Sequence, residues 1–285
     1  MSSQKKSIVV TGVSTGIGWG ATKVLVKKGF HVFGSVRKQA DADRLKQEFG
    51  DAFTPLIFDV TDAAGAQAAA DTVRKALNGQ TLAGLVNNAG IAVAGPLLHL
   101  PIDDFRQQME VNVTGVVIAT QAFAPLLGAE PGLTGPKGRI VNISSVGGRN
   151  ASPFMGPYSA SKFALEGLSE SLRRELLIHG IDVIIVAPGA VATPIWAKAD
   201  EVDTGPYAAT VFGPALERIK GYMLTLGKNG LPPAVIGEAI LKGLTAAKPK
   251  HRYVVSPSPF EVLMTEILPR RTMDRIVGKR LGLLP

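Results

Sequence analysis

The sequence predicts an α/β fold: a single doubly wound parallel sheet of about seven strands, flanked by helices. Three observations predict it. Short β-branched runs alternate with longer helical patterns along most of the chain. Those runs are apolar throughout rather than at every second residue, as expected of strands covered on both faces. A glycine-containing stretch, TGVSTGIG at 11–18, stands between the first strand-like run and the first helical one.

The elements follow in order. SIVVT at 7–11 reads as the first strand, and GWGATKVLVKKG at 18–29 as a helix closed by Gly29. HVFGSV at 31–36 is a strand, DADRLKQEFG at 41–50 a short helix, and FTPLIFDV at 53–60 a third strand. The helix at 62–77 starts on Asp62, a residue that accepts from free N–H groups at a helix N-terminus. LAGLVNNAG at 82–90 holds a strand that ends in polar residues and glycine. A helix is expected at about 101–127, a strand at 138–145, a helix at 156–178 and a strand at 181–189. Residues 190–231 carry proline, glycine and aromatics with no clear strand, and read as an insertion at the rim of the sheet. A helix near 232–246 and a strand near 251–256 complete the pattern. No repeat or linker marks a second domain, so one domain is expected over 1–285, with a basic extension from about 257.

Composition narrows the function. Hydrophobic residues make up 46% and charged residues 19% of 285, enough for a large core. Cysteine is absent, which excludes disulfides, thiolate nucleophiles and cysteine metal sites. His31, His99, His179 and His251 lie far apart without metal-ligand spacing, so no metal is expected. No apolar run approaches the roughly 18 residues of a membrane span. The N-terminus lacks a signal-peptide layout, and a cytoplasmic location is the expectation. The net charge is +8, and from Lys242 onward nine Lys or Arg face three Asp or Glu, which supplies +6 of it. A basic end fits a solvated surface, nucleic acid or an anionic membrane. No zinc finger, RNA-binding strand motif or long basic run accompanies it, so no nucleic-acid partner is expected. The tail ILPRRTMDRIVGKRLGLLP reads as an amphipathic helix that packs on the body or on a partner subunit.

Chemistry collects at a few motifs. Gly12, Gly16 and Gly18 let the backbone turn tightly and approach a pyrophosphate at a helix N-terminus. Three residues separate the first two glycines, so this is not the common G-x-G-x-x-G. In GPYSASKFALEG, Tyr158 precedes Lys162 by four residues, which puts both on one helical face. With NNAG at 87–90, Asn112 in EVNVTG, Ser145 in NISS and PG at 188–189, these motifs resemble the short-chain dehydrogenase/reductase family in order and spacing. The likeness is close over 5–195 and looser beyond. Loosely, the chain is similar to NADP-preferring members acting on steroids and retinoids.

The resemblance implies a Rossmann-type, NADP-binding catalytic domain and an oxidoreductase interconverting a carbonyl and an alcohol by hydride transfer. It makes Asn112, Ser145, Tyr158 and Lys162 the catalytic set. Tyr158 exchanges a proton with the substrate oxygen. An unperturbed tyrosine, with a pKa of about 10, is a poor base near neutrality, and an ammonium one turn away lowers that value. Lys162 also holds the nicotinamide ribose. The thirteen-residue separation from Tyr158 selects Ser145 over Ser144 as the group that holds developing negative charge. Asn112 either holds a water near the lysine or bonds local backbone. The remaining cofactor positions implied are Ser14, Thr15 and Ile17 beside the loop glycines, Asp59 and Val60 at the adenine, Asn88, Ala89 and Gly90, and Pro188, Gly189, Val191 and Thr193.

The second strand runs into Arg37 and Lys38, with no acid at 35–37 to accept from a ribose 2′-hydroxyl. Arginine instead suits a 2′-phosphate, with help from Ser14, and the expected cofactor is NADP. Phe154, Met155, Trp196, Tyr207, Phe212, Tyr222 and Met223 are expected to form an aromatic, charge-poor wall for an apolar or bulky substrate, though the same segment could pack on the subunit's own core. The family commonly pairs its two long helices between subunits, so a homodimer or homotetramer is expected.

Overall fold

Among the described residues, seven strands form one sheet: β1 (Ser7–Val10), β2 (His31–Val36), β3 (Phe53–Ile57), β4 (Gly84–Asn87), β5 (Arg139–Ile143), β6 (Asp182–Pro188) and β7 (Arg252–Val255). Their order is β3-β2-β1-β4-β5-β6-β7 and every pairing is parallel. The structure, a computed structural model, describes residues 5–194 and 204–284.

Strand alternation sends neighbouring residues to opposite layers. Val9, Leu85, Ile140 and Val183 pack on one face with Val73 and Phe123. Ile8, Val10, Val86, Val141 and Ile184 pack on the other with Leu25, Ile236 and Ile240. A fully buried side chain of this size contributes about 1.5–3 kcal/mol, so a one-residue slip of any central strand would forfeit both layers.

Helices α1 (Gly16–Lys27), α2 (Gln39–Phe49), α3 (Ala63–Leu77) and α6 (Gly156–Glu175) fall within a few residues of expectation. The Asp62 carboxylate accepts from Gly65 N–H at 3.0 Å and caps α3 as predicted. Gly29 lies one residue past the cap of α1, at φ +87°. The predicted helix at 101–127 is present but interrupted. It runs as α4 (Ile102–Met109), a π turn at Glu110–Thr114, α5 (Gly115–Phe123) and a 3-10 turn to Leu127. By length and composition alone this stretch is long and apolar enough to cross a membrane, although no continuous apolar run in it approaches 18 residues. Half of its most apolar window is buried inside the fold, where Phe123, Leu126 and Leu127 join the core, so it is built as a core helix.

Two features differ from the sequence reading. The segment 190–231 holds α7 (Gly205–Ala208) and a four-turn helix, α8 (Gly213–Lys228), whose pattern is obscured by Gly213, Pro214, Gly221 and Gly227. After α9 (Pro233–Thr245) and β7, the tail read as helical forms α11 (Arg270–Leu281), and an unanticipated helix, α10 (Pro259–Ile267), precedes it, the two divided at Pro269. Val277 and Leu281 of α11 pack with Leu216 and Ile219 of α8, and the Arg218 guanidinium donates to the Leu281 carbonyl at 2.9 Å.

Candidate active site

The strand order reverses between β1 and β4, and a cavity of roughly 700 Å³ opens there at the C-terminal ends of the strands. Its floor is the glycine loop. Gly12 sits at φ +69°, and a Cβ there would lie 2.8 Å from Ala89 Cα. A Cβ on Gly18 would lie 2.2 Å from the Gly12 carbonyl, so this glycine lets helix and strand close together. Thr15 precedes α1 without capping it by its side chain, which leaves the helix N–H groups facing a phosphate-sized space. Asn88 Nδ2 donates to the carbonyls of Thr11 and Gly12 at 2.8 and 3.0 Å. The Thr11 hydroxyl in turn accepts from Asn88 and Ala89 N–H. The loop and the NNAG segment are therefore one fixed cradle, and its donors fit a dinucleotide pyrophosphate.

Ser14, Thr15, Gly16, Ile17, Arg37, Asp59, Val60, Gly90, Pro188, Gly189, Val191 and Thr193 also line this cavity, whereas Gly18, Lys38 and Asn112 do not. Lys38 is the exposed residue that starts α2. Arg37 lies 3.7 Å from the Asp59 carboxylate. Burial pushes the Asp59 carboxyl up, but hydrogen bonds from Thr61 N–H and hydroxyl, with the Arg37 guanidinium nearby, outweigh this and hold it below the usual carboxylate range. The sequence reading missed Arg44, which reaches from α2 to the Ser14 carbonyl at 2.6 Å and braces the loop while pairing with Asp41 and Glu48 of its own helix. Nothing local in the sequence marks it; only the packing of α2 does.

Tyr158 and Lys162 share a face of α6, with Lys162 Nζ 5.8 Å from the Tyr158 ring centroid. Ser145 lines the cavity with Tyr158 and accepts from Gly147 N–H at 3.0 Å, which fixes its rotamer. Ser144 Oγ is buried with no hydrogen-bond partner among the described residues. Burial raises the Tyr158 pKa above its ordinary value, and the neighbouring Ser145 hydroxyl offsets part of that rise. The depression expected from Lys162 is thus not produced by the fold alone. Lys162 is itself buried, donates to the Ile143 carbonyl at 2.8 Å, and is lowered to about 8 by burial, opposed by the charge of Glu166.

Asn112 is wholly committed. Its Oδ1 accepts from Ile91 N–H at 2.9 Å, and its Nδ2 donates to the Ile91 carbonyl and the Ser161 hydroxyl. It sits in the π turn, where Gly115 N–H reaches back five residues to the Glu110 carbonyl. A polar ladder unnoticed in the sequence holds α6 to the sheet. Asn87 donates to Asn142 and Thr120, and Asn142 donates to Ser169. Glu166, one turn beyond Lys162, is gripped by Arg252 at 2.9 Å and lies 3.5 Å from Arg149.

The aromatic wall divides. Phe154, Met155 and Met223 line the cavity. Phe154 adopts φ +63° and packs with Tyr207 and Phe212 in a separate small core. Tyr222 lies under the Arg280 guanidinium, 4.2 Å from its ring centroid, and is not part of the lining. Trp196 lies outside the described residues. The main wall is aliphatic. Leu216, Ile219, Met223 and Leu226 of α8 recur at helical spacing, a signal that was available in the sequence.

A doubly wound sheet with a glycine cradle, and with a tyrosine, lysine and serine beside it, defines an oxidoreductase that works with a nicotinamide dinucleotide. The short chain dehydrogenase family profile matches residues 6–203. The chain is 40% identical over 275 residues to an NADPH-dependent 3-dehydrocapnine reductase of Ornithobacterium rhinotracheale, covering 96% of each protein. A short-chain dehydrogenase structure from Streptomyces avermitilis superposes with TM-score 0.78 at 27% identity, over 99% of this chain and 98% of that one. A short-chain dehydrogenase/reductase from Burkholderia phymatum, in complex with NAD, shares the fold at TM-score 0.77 and 22% identity, over 96% and 95%. The protein belongs to the short-chain dehydrogenase/reductase family.

Proposed function

We propose that the protein is an NADP(H)-preferring oxidoreductase that interconverts a bulky, apolar ketone or aldehyde with its alcohol, with Tyr158 as acid and base. The observation that carries this reading is that Tyr158, the buried Lys162 one turn away and Ser145 line the same cavity as the glycine loop and Arg37. When bound, the cofactor supplies or accepts the hydride. In reduction, Tyr158 passes its proton to the carbonyl oxygen while Ser145 donates to that oxygen and spreads its developing charge. Lys162 holds the nicotinamide ribose and favours the tyrosinate by its charge. Because the Asn112 amide is already engaged, its part is to tie the π turn to Ile91 and to Ser161 on α6.

Preference for NADP rests on Arg37, which lines the cavity, and on the absence of an acid at the end of β2. The similar reductase of Ornithobacterium is named for NADPH. The aliphatic wall of α8 supports an apolar substrate. Exposed Ile102, Phe163, Leu177 and Ile178 lie on α4, on α6 and just beyond it, and support a homodimer or homotetramer built on these helices. The reading is tested by a panel of ketones and alcohols with both cofactors, followed at 340 nm. Turnover of apolar ketones with NADPH is expected, and absence of turnover with every carbonyl and either cofactor would remove it.

A further inference from the structure

We propose that α10 and α11 form a docking surface for an anionic lipid bilayer. No residue of α10 is buried. Phe260, Leu263 and Ile267 recur at i, i+3 and i+7, and are 72%, 50% and 66% exposed. On a helix that spacing makes one outward apolar row. Ile276 in α11, and Leu283 and Leu284 beyond it, are exposed as well. An ordinary surface helix turns such a row inward.

The charge of the next helix in the chain selects the partner. α11 carries Arg270, Arg271, Arg275, Lys279 and Arg280 against Asp274 alone. Arg271, Arg275 and Lys279 follow one another at i, i+4 and i+8, on one stripe, and no ion pair takes them up among the described residues. The other side of the helix is spoken for, since Val277 and Leu281 pack on α8. Both helices are tied to the body, α10 by Glu266 near Arg252 at 3.8 Å and α11 by Arg218 on the Leu281 carbonyl. Each helix is thereby anchored to the body. A second copy meeting this face across a two-fold axis would set like charges together. An anionic bilayer takes both features, apolar side chains into the acyl boundary and cations at the headgroups. The face lies one helix away from the cavity, because α8 packs on α11 and lines the cavity with Leu216, Ile219, Met223 and Leu226. Docking would thus set the substrate wall close to the lipid.

The test is co-sedimentation of the full chain with vesicles of phosphatidylcholine alone or with added phosphatidylglycerol. Binding is expected to the anionic vesicles, at least about tenfold weaker to the neutral ones, and to be reversed by high salt. Two triple variants, Phe260→Ser with Leu263→Ser and Ile267→Ser, and Arg271→Glu with Arg275→Glu and Lys279→Glu, should each weaken binding by at least about tenfold. Because all six side chains are exposed, their melting temperatures should match the wild type. No binding to anionic vesicles, or equal binding by both variants, overturns the proposal. So does an apolar variant that loses subunit mass in light scattering while still binding vesicles as the wild type does, for then a second copy covers the row.

Discussion

Lys162 donates a 2.8 Å hydrogen bond to the carbonyl of Ile143, the last residue of β5. The ammonium is therefore held at the end of the sheet, two residues from Ser145 and one helical turn from Tyr158, by the fold itself. Lys162→Met keeps length and removes the charge. It should weaken NADPH binding as well as turnover, and any remaining alcohol oxidation should need higher pH, since Tyr158 would lose a stabilising cation. Normal cofactor affinity in this variant, measured by fluorescence titration, would remove the ribose role.

The same lysine sets a pH dependence. Burial lowers it to about 8 from an ordinary 10.5. The cation thus predominates below about 8 and is lost above it. NADPH affinity should fall above pH 8, by up to about tenfold per unit, and the slope should vanish in Lys162→Met. Stability runs the other way. The native state binds fewer protons than the unfolded chain between about 8 and 10.5, so this group's contribution to stability rises with pH across that window. At pH 7, Lys162→Met should melt no lower than the wild type, apart from about 1 kcal/mol for the stranded Ile143 carbonyl. Calorimetry at pH 7 checks this, and a drop of several kcal/mol would contradict it.

Arg37 is largely exposed, 3.7 Å from Asp59, so its interaction with a 2′-phosphate is partly screened. Arg37→Asp should weaken NADPH by about 10- to 150-fold, or about 1.5–3 kcal/mol, and NADH by much less. Equal losses for both cofactors, by titration, would remove Arg37 from the phosphate site.

On the substrate side, Met223 lines the cavity from α8 while Tyr222 faces Arg280. Met223→Ala should cost bulky apolar ketones about 1–3 kcal/mol in kcat/KM and spare a small ketone such as acetoin. Tyr222→Ala should leave the size preference unchanged. A uniform loss across ketone sizes for Met223→Ala would place it in the packing alone.

The sheet was legible because its strands are continuously apolar and its glycine loop, Tyr158 and Lys162 stand at fixed spacings. The α8 wall was not, because Gly213, Pro214, Gly221 and Gly227 mask the helical recurrence of Leu216, Ile219, Met223 and Leu226. Arg44 and Glu166 were invisible for a different reason. The contacts that bring them to the site, from Arg44 to Ser14 and from Glu166 to Arg149 and Arg252, join different elements and form only in the fold. The raised pKa of Tyr158 was missed because spacing reports the nearby lysine but not the depth of burial.

Ser145 and Ser144 separate a reacting hydroxyl from a buried neighbour. Ser145→Ala should lower turnover by about 100-fold or more with cofactor affinity nearly unchanged. Ser144→Ala, which removes an unpartnered hydroxyl, should do far less. Steady-state rates that fall equally in both variants would contradict the assignment of Ser145.

The most direct measurement is made on Tyr158→Phe, which keeps the ring and removes the proton. Its NADPH affinity and melting temperature should stay close to the wild type, while reduction of the best ketone falls by about 100- to 10,000-fold. A variant that binds NADPH normally and still reduces that ketone at the wild-type rate would show that the proton comes from another group.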